Sequence, residues 1–158
     1  MPMELYVGVA DLITADADAT LVTLGLGSCV AIVLHDAAAR VGGLAHILLP
    51  GPEYSRDRDN AAKFPCTALP VLLAEMRALG ATRPRARLVG GASMFGAMLD
   101  GGINIGERNV VATRAALSRH AIPLDGEDVG GGHGRSVYFT IADGRVFVRS
   151  LKMGDRDV

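Results

Sequence analysis

Two cysteines are too few for a disulfide framework, so a cytoplasmic chain with free thiols is the expectation. Basic charge is not in excess either. Lys plus Arg number 16 and Asp plus Glu 17, for a net charge of −1 and a pI near 6.4. With no cationic surplus to release phosphate counterions, nucleic-acid binding is disfavoured. The longest uncharged run, Ala19 to Leu34, spans 16 residues and is interrupted by two glycines, two threonines and a serine. It is too short and too broken to cross a bilayer. The opening MPMELYVGVAD has no basic region followed by an apolar stretch, so no secretory signal is expected there. Internal repeats and low-complexity segments are also missing.

What is there reads as a folded chain. The hydrophobic fraction is 49% and the charged fraction 21%, which excludes a disordered polymer. A length of 158 residues fits one domain over 1–158. Glycine is unusually common, with 20 residues against a usual share of ~7%. The glycines cluster at Gly25-Gly27, Gly42-Gly43, Gly90-Gly91, Gly101-Gly102 and Gly130 to Gly134, which marks tight turns and close backbone approaches.

Short runs of Val, Ile and Leu between turn residues predict strands at Leu5–Ala10, Thr20–Leu24, Val30–His35, Val41–Leu49, Arg87–Gly90, Ile122–Asp128, Ser136–Ile141 and Arg145–Leu151. Ala142-Asp143-Gly144 predicts a hairpin, and His35 to Arg40 a second one. Helical periodicity appears in Ala62–Leu79 and Ile105–His120. Pro65 suits an opening turn, while Pro70 is expected to kink or bound the first helix. Gly51 to Lys63 reads as an exposed loop, with Arg56 to Asp59 solvated. The sum is an α+β class: mixed β-sheets packed with two to three outer helices.

Most familiar chemical motifs fail. The chain has no phosphate-binding GxxxxGK[ST] loop. Gly25-Leu26-Gly27 lacks the third glycine of a dinucleotide fingerprint, and Ser93 lacks the glycine that follows a nucleophile elbow. Cys29, His35, His46 and Cys66 have no zinc-module spacing. What remains is Cys29, just after a glycine-rich bend between two apolar runs. Backbone N–H groups in such a bend, at Gly27, Ser28 and Val30, are candidates to bind an oxyanion. His46 interrupts the apolar Gly42–Pro50 stretch. If the strands carrying these residues are neighbours, a thiol and an imidazole meet at one sheet end, and the thiol becomes a nucleophile toward a carbonyl carbon. A third group must hold the ring, either Thr23 or a backbone carbonyl. The plainer alternatives stay open: Cys29 as a small core residue, His46 as a satisfied core histidine, Gly130 to Gly134 as a mobile turn, and Glu107 as a charge favouring a helix start.

Taken together, five blocks resemble the CheD family of chemoreceptor glutamine deamidases of bacterial and archaeal chemotaxis. They are Thr23-Leu-Gly-Leu-Gly-Ser-Cys-Val-Ala-Ile32, Gly42-Gly-Leu-Ala-His-Ile-Leu-Leu-Pro50, Gly90-Gly-Ala-Ser-Met-Phe95, Asn104-Ile-Gly-Glu-Arg-Asn109 and Asp128-Val-Gly-Gly-Gly-His-Gly-Arg135. The resemblance runs from about Leu5 to Leu151. It implies Cys29 as nucleophile, His46 as general base and Thr23 alongside them, in a fold similar to the catalytic domain of cytotoxic necrotising factors. It implies deamidation of receptor glutamines through a Cys thioester, with release of ammonia and no cofactor or metal. Methylesterase activity is a possible second outcome of the same chemistry. The implied partners are chemoreceptors (methyl-accepting chemotaxis proteins) and a CheC-type phosphatase. The alternative role is an adaptor for that phosphatase, with minor or lost catalysis. One departure stands out. Phe64-Pro65-Cys66-Thr67-Ala68 replaces the family's Tyr-Ala-Asp-Thr-Ala, which puts the first helix's local geometry in doubt. It also leaves a Cys66–Cys29 link conceivable.

Overall fold

The computed structural model describes residues 2–93 and 103–158. Met94, Phe95 and the Gly101-Gly102 pair lie outside the described residues. The chain forms two five-stranded mixed sheets and two α-helices among these residues, the α+β architecture expected from the sequence. The first sheet has the order β1(Met3–Tyr6), β3(Ala19–Leu26), β8(Arg135–Thr140), β9(Arg145–Arg149), β10(Arg156–Asp157). The second has the order β2(Leu12–Asp16), β5(Val41–Ile47), β4(Val30–Asp36), β6(Arg85–Gly90), β7(Leu124–Val129). Each contains one parallel pair, β1 with β3 and β6 with β7, and is otherwise antiparallel.

Side-chain alternation along β4 explains the layering. Val30, Ile32 and Leu34 face α1(Pro65–Ala78) and α2(Ile105–Arg119), whereas Ala31 and Val33 face the first sheet. A strand buried on both faces reads as an unbroken apolar run, and Val30 to Leu34 is one. The result is three layers: helices, second sheet, first sheet. On α1, Ala68, Leu69, Leu72 and Met76 are all fully buried, and each of the larger three contributes about 1.5–3 kcal/mol through burial. Gly42 and Gly43 let β5 fit between these layers. A Cβ at Gly42 would lie 2.6 Å from the Phe139 ring, and one at Gly43 would lie 2.9 Å from Leu72.

Several sequence expectations need correction. The strand expected at Leu5–Ala10 is β1, which ends at Tyr6, and the chain then turns through Ala10 at φ +58°. Strands β2 and β10 were not expected. β2 is a half-buried edge strand without clean alternation, and β10 has only two residues. Pro70 does not bound α1, which continues to Ala78 with Pro70 on its exposed side. The loop from Gly51 to Lys63 holds two short 3-10 turns, at Pro52–Tyr54 and Ala61–Lys63. The Phe64-Pro65-Cys66 departure is accommodated. Pro65 occupies the first helical position, where its missing N–H would have had no partner. The Thr67 hydroxyl donates to the Ala61 carbonyl at 2.6 Å and anchors the entry. Cys66 is exposed on α1, whereas Cys29 packs between the sheets, so β4 separates the two thiols and both are free.

The β4–β5 hairpin is tied to the loop after α1 by Asp36, whose buried carboxylate accepts from the amides of Ala39 (3.0 Å), Thr82 (2.7 Å) and Arg83 (2.8 Å). These amides hold its pKa below the usual carboxylate value. Its stabilisation is therefore complete above the unfolded value of ~3.9 and is lost as pH falls through that value toward the folded one. Asp36→Ala is expected to lower the urea midpoint at neutral pH, with the gap from wild type closing as pH drops from about 5 to 3. A gap that stays constant over that range would contradict this account. For α1, Cys66→Asp restores an acidic group to a first turn that has none. It is expected to stabilise the fold by about 0.3–1 kcal/mol, read as a higher Tm that shrinks in high salt.

Candidate active site

The loop from Gly27 to Cys29 leaves the first sheet at the end of β3 and enters the second at β4. It crosses between the layers, and its three consecutive carbonyls all accept hydrogen bonds. Gly27 accepts from the Ala92 amide (2.9 Å), Ser28 from Asn109 Nδ2 (2.8 Å) and Cys29 from the Gly91 amide (2.8 Å). Gly90 sits against this loop at φ +113°, and a Cβ there would collide with the Cys29 carbonyl oxygen. With the carbonyls held this way, the amides of Gly27 and Ser28 donate to no acceptor among the described residues. Val30, the first residue of β4, is paired with both Ile47 and Gly90, so its backbone belongs to the ladder. Of the three amides expected, those of Gly27 and Ser28 are the ones left without an acceptor among the described residues.

The hairpin brings His46 to the same end. Ala31 pairs with His46, and Cys29 lies two residues before Ala31, in the apolar cluster between the sheets. Side chains two apart along an extended chain share a face. His46 is only 1% exposed, and its backbone is held at both groups by β2's entry, with Ala10 N–H donating to its carbonyl and its own N–H donating to the Asp11 carbonyl.

Thr23 reaches His46 from the other sheet. Its oxygen lies 2.6 Å from Nδ1, and its hydroxyl donates to the Val7 carbonyl at 2.7 Å. This pair of distances assigns the tautomer. A hydroxyl has one proton, and the Val7 carbonyl can only accept. With that proton committed to Val7, the Thr23 oxygen must accept from Nδ1–H. The neutral ring therefore carries its lone pair on Nε2. That atom is buried and has no hydrogen-bond partner among the described residues, the Cys29 thiol included. Burial pushes the Cys29 thiol up from its ordinary pKa and the His46 imidazole down. Both shifts favour the neutral thiol and the neutral ring at physiological pH.

The glycine-rich segment left open by the sequence borders this loop. Gly130 donates to the Gly90 carbonyl and Ser93 to the Gly131 carbonyl, both at 2.9 Å. Its far end is stapled by Arg135, almost wholly buried, which pairs with Asp128 at 3.1 Å. No cluster of three potential metal ligands occurs among the described residues.

Comparison with known proteins agrees with the five sequence blocks. Residues 48–150 match the family model described as CheD chemotactic sensory transduction. A "Probable chemoreceptor glutamine deamidase CheD" of Caldanaerobacter subterraneus subsp. tengcongensis is 44% identical over 153 residues, covering 95% of this chain and 94% of the relative. The chain belongs to the CheD family. A "Probable chemoreceptor glutamine deamidase CheD 2" of Geobacter metallireducens is 45% identical, covering 96% of each chain. The "Chemoreceptor glutamine deamidase CheD" of Halalkalibacterium halodurans is 40% identical, again over 96% of each. The family model begins after Thr23, Cys29 and His46, so the nearly full-length CheD relatives are what extend the likeness to that segment.

Two contributors escaped the sequence reading. Val7 acts through its carbonyl, which leaves no trace in residue type. Asn109 was visible only as part of the Asn104–Asn109 block. The signal was its place on α2's inward stripe beside Gly106, Val110 and Thr113, where an amide is out of pattern. The tautomer is open to measurement. In nitrogen-15 NMR at neutral pH, His46 is expected as the Nδ1–H form, titrating below the ordinary imidazole value. Thr23→Val should erase that preference. A protonated Nε2 in the wild type would refute the assignment.

Proposed function

We propose that this CheD protein acts in the cytoplasm on chemoreceptors, hydrolysing glutamine side chains to glutamate with Cys29 as nucleophile and His46 as general base. The observation that carries the reading is the Thr23 hydroxyl, which is spent on Val7 and so leaves His46 with a free Nε2 lone pair on the face that Cys29 shares. The printed names of its relatives supply the substrate class.

The chemistry follows from those atoms. Nε2 takes the thiol proton as Sγ attacks the carboxamide carbon, forming the C–S bond. The amides of Gly27 and Ser28 receive the developing oxyanion, and one such donor lowers the barrier by about 2.7–4 kcal/mol. Nε2–H then protonates the departing nitrogen, the C–N bond breaks, and ammonia leaves a thioester on Cys29. Water, deprotonated by Nε2, cleaves the thioester and yields glutamate and the free thiol. Thr23 keeps the ring in the productive tautomer throughout, and its oxygen accepts a hydrogen bond that stabilises the imidazolium. Bound substrate is needed to bring Sγ into hydrogen-bonding range of Nε2, as resting catalytic contacts are commonly long.

A cytoplasmic receptor fragment incubated with the wild type should gain about one mass unit per modified glutamine, with ammonia released. Cys29→Ala should abolish the gain, His46→Ala should slow it by roughly 10²–10⁴-fold, and Thr23→Val by up to about 10²-fold. Because burial lowers the His46 pKa, kcat/KM should hold its plateau below the ordinary imidazole value of ~6.5 before falling with acid. Full activity in Cys29→Ala, or no mass gain with a folded wild type, would reject the proposal.

A further inference from the structure

Asn109 is fully buried on α2, yet neither hydrogen bond of its side chain is to a neighbour on that helix. Nδ2 donates one hydrogen to the Ser28 carbonyl at 2.8 Å and the other to the Leu48 carbonyl at 3.1 Å. Ser28 immediately precedes Cys29, and Leu48 lies two residues beyond His46. One amide thus bridges the two segments that carry the thiol and the imidazole, at the open end of β4 and β5 where ladder pairing stops at Val30 and Ile47. The partners fix the orientation of the amide, because a flip would set Oδ1 against two carbonyl oxygens.

The cost of this arrangement points away from a stabilising role. Oδ1 is buried without a partner among the described residues, and a buried unpaired acceptor is unfavourable. We propose that Asn109 is a positioning residue, whose two-way clamp sets the separation of the Cys29 loop from the strand end after His46, and with it the approach of Sγ to Nε2. This rests on the deamidase reading above. The clamp also aims the loop. By fixing the Ser28 carbonyl it fixes the peptide plane whose N–H belongs to Cys29. A misplacement of about 1 Å in such a constellation costs roughly 10²-fold in rate. Binding of the receptor surface around the glutamine does not use this amide, so KM should change little.

The test compares kcat, KM and Tm for the wild type, Asn109→Leu, Asn109→Asp and Leu117→Ala on the receptor fragment. Leu117→Ala weakens the same helix two turns away, where Leu117 packs in the helix-side core. The expected result is a fall in kcat of roughly 10- to 100-fold for both Asn109 variants with KM within about twofold, while Leu117→Ala lowers Tm and keeps kcat. Asn109→Asp, which keeps the size and loses the donors, should be no better than Asn109→Leu. A second measurement is the alkylation rate of Cys29, with exposed Cys66 as internal reference. It should fall in both Asn109→Leu and His46→Ala. Asn109 variants with wild-type kcat, or with losses matched by Leu117→Ala at equal Tm, would overturn the inference. Cys29→Ser separates the two failures. If Cys29→Ser is dead and Asn109→Leu is normal, only the clamp is wrong. If Cys29→Ser is active, both readings fall.

Discussion

The register of the β4–β5 hairpin is the constraint on which the site depends. Pairing Ala31 with His46 puts the imidazole on the inter-sheet face, where Cys29 also points. A slip of one residue would turn His46 toward the helices and leave Ala45 or Ile47 facing the thiol. That register is secured twice. Apolar residues face both layers on β4, and Asp36 closes the far end of the hairpin by capping its turn and the loop after α1. The placement of His46 at one end of the hairpin is thus supported by a carboxylate at the other.

Much of this was legible in the sequence because its physical signals are local. The unbroken run from Val30 to Leu34, the apolar stretch interrupted by His46 and the Asp143-Gly144 turn each name an element without outside help. The adjacency of the strands that follow Cys29 and carry His46 was legible too, since a short turn joins them. The rest depends on contacts distant in sequence. β2 is stabilised by pairing with β5 and by a half-buried surface, so its own residues carry little pattern. Val7 contributes a carbonyl, and any residue has one. Asn109 is separated from Ser28 by 81 positions and from Leu48 by 61. Pro70 misled because proline is judged by what it removes, whereas here the exposed side of α1 tolerates the loss.

Electrostatically, the site trades resting reactivity for shelter. Burial raises the thiol and lowers the imidazole, so the ground state holds no ion pair among the apolar side chains around it. A preformed thiolate in that setting would need strong compensation. A neutral pair needs only the tautomer to be right, and Thr23 and Val7 supply that through two short hydrogen bonds. In the proposed reaction, the loop amides would meet negative charge only as it develops on the substrate, where fixed donors are most effective.

The Thr23–His46 bond joins the two sheets, for Thr23 lies on β3 and His46 on β5. The packing around it between those layers is apolar contact, which tolerates small sliding. A hydrogen bond of 2.6 Å does not. A shear of the sandwich by a fraction of an ångström would leave the core packed and yet free the ring to rotate or change tautomer. The proton on Nδ1 is therefore a gauge of how the layers are aligned.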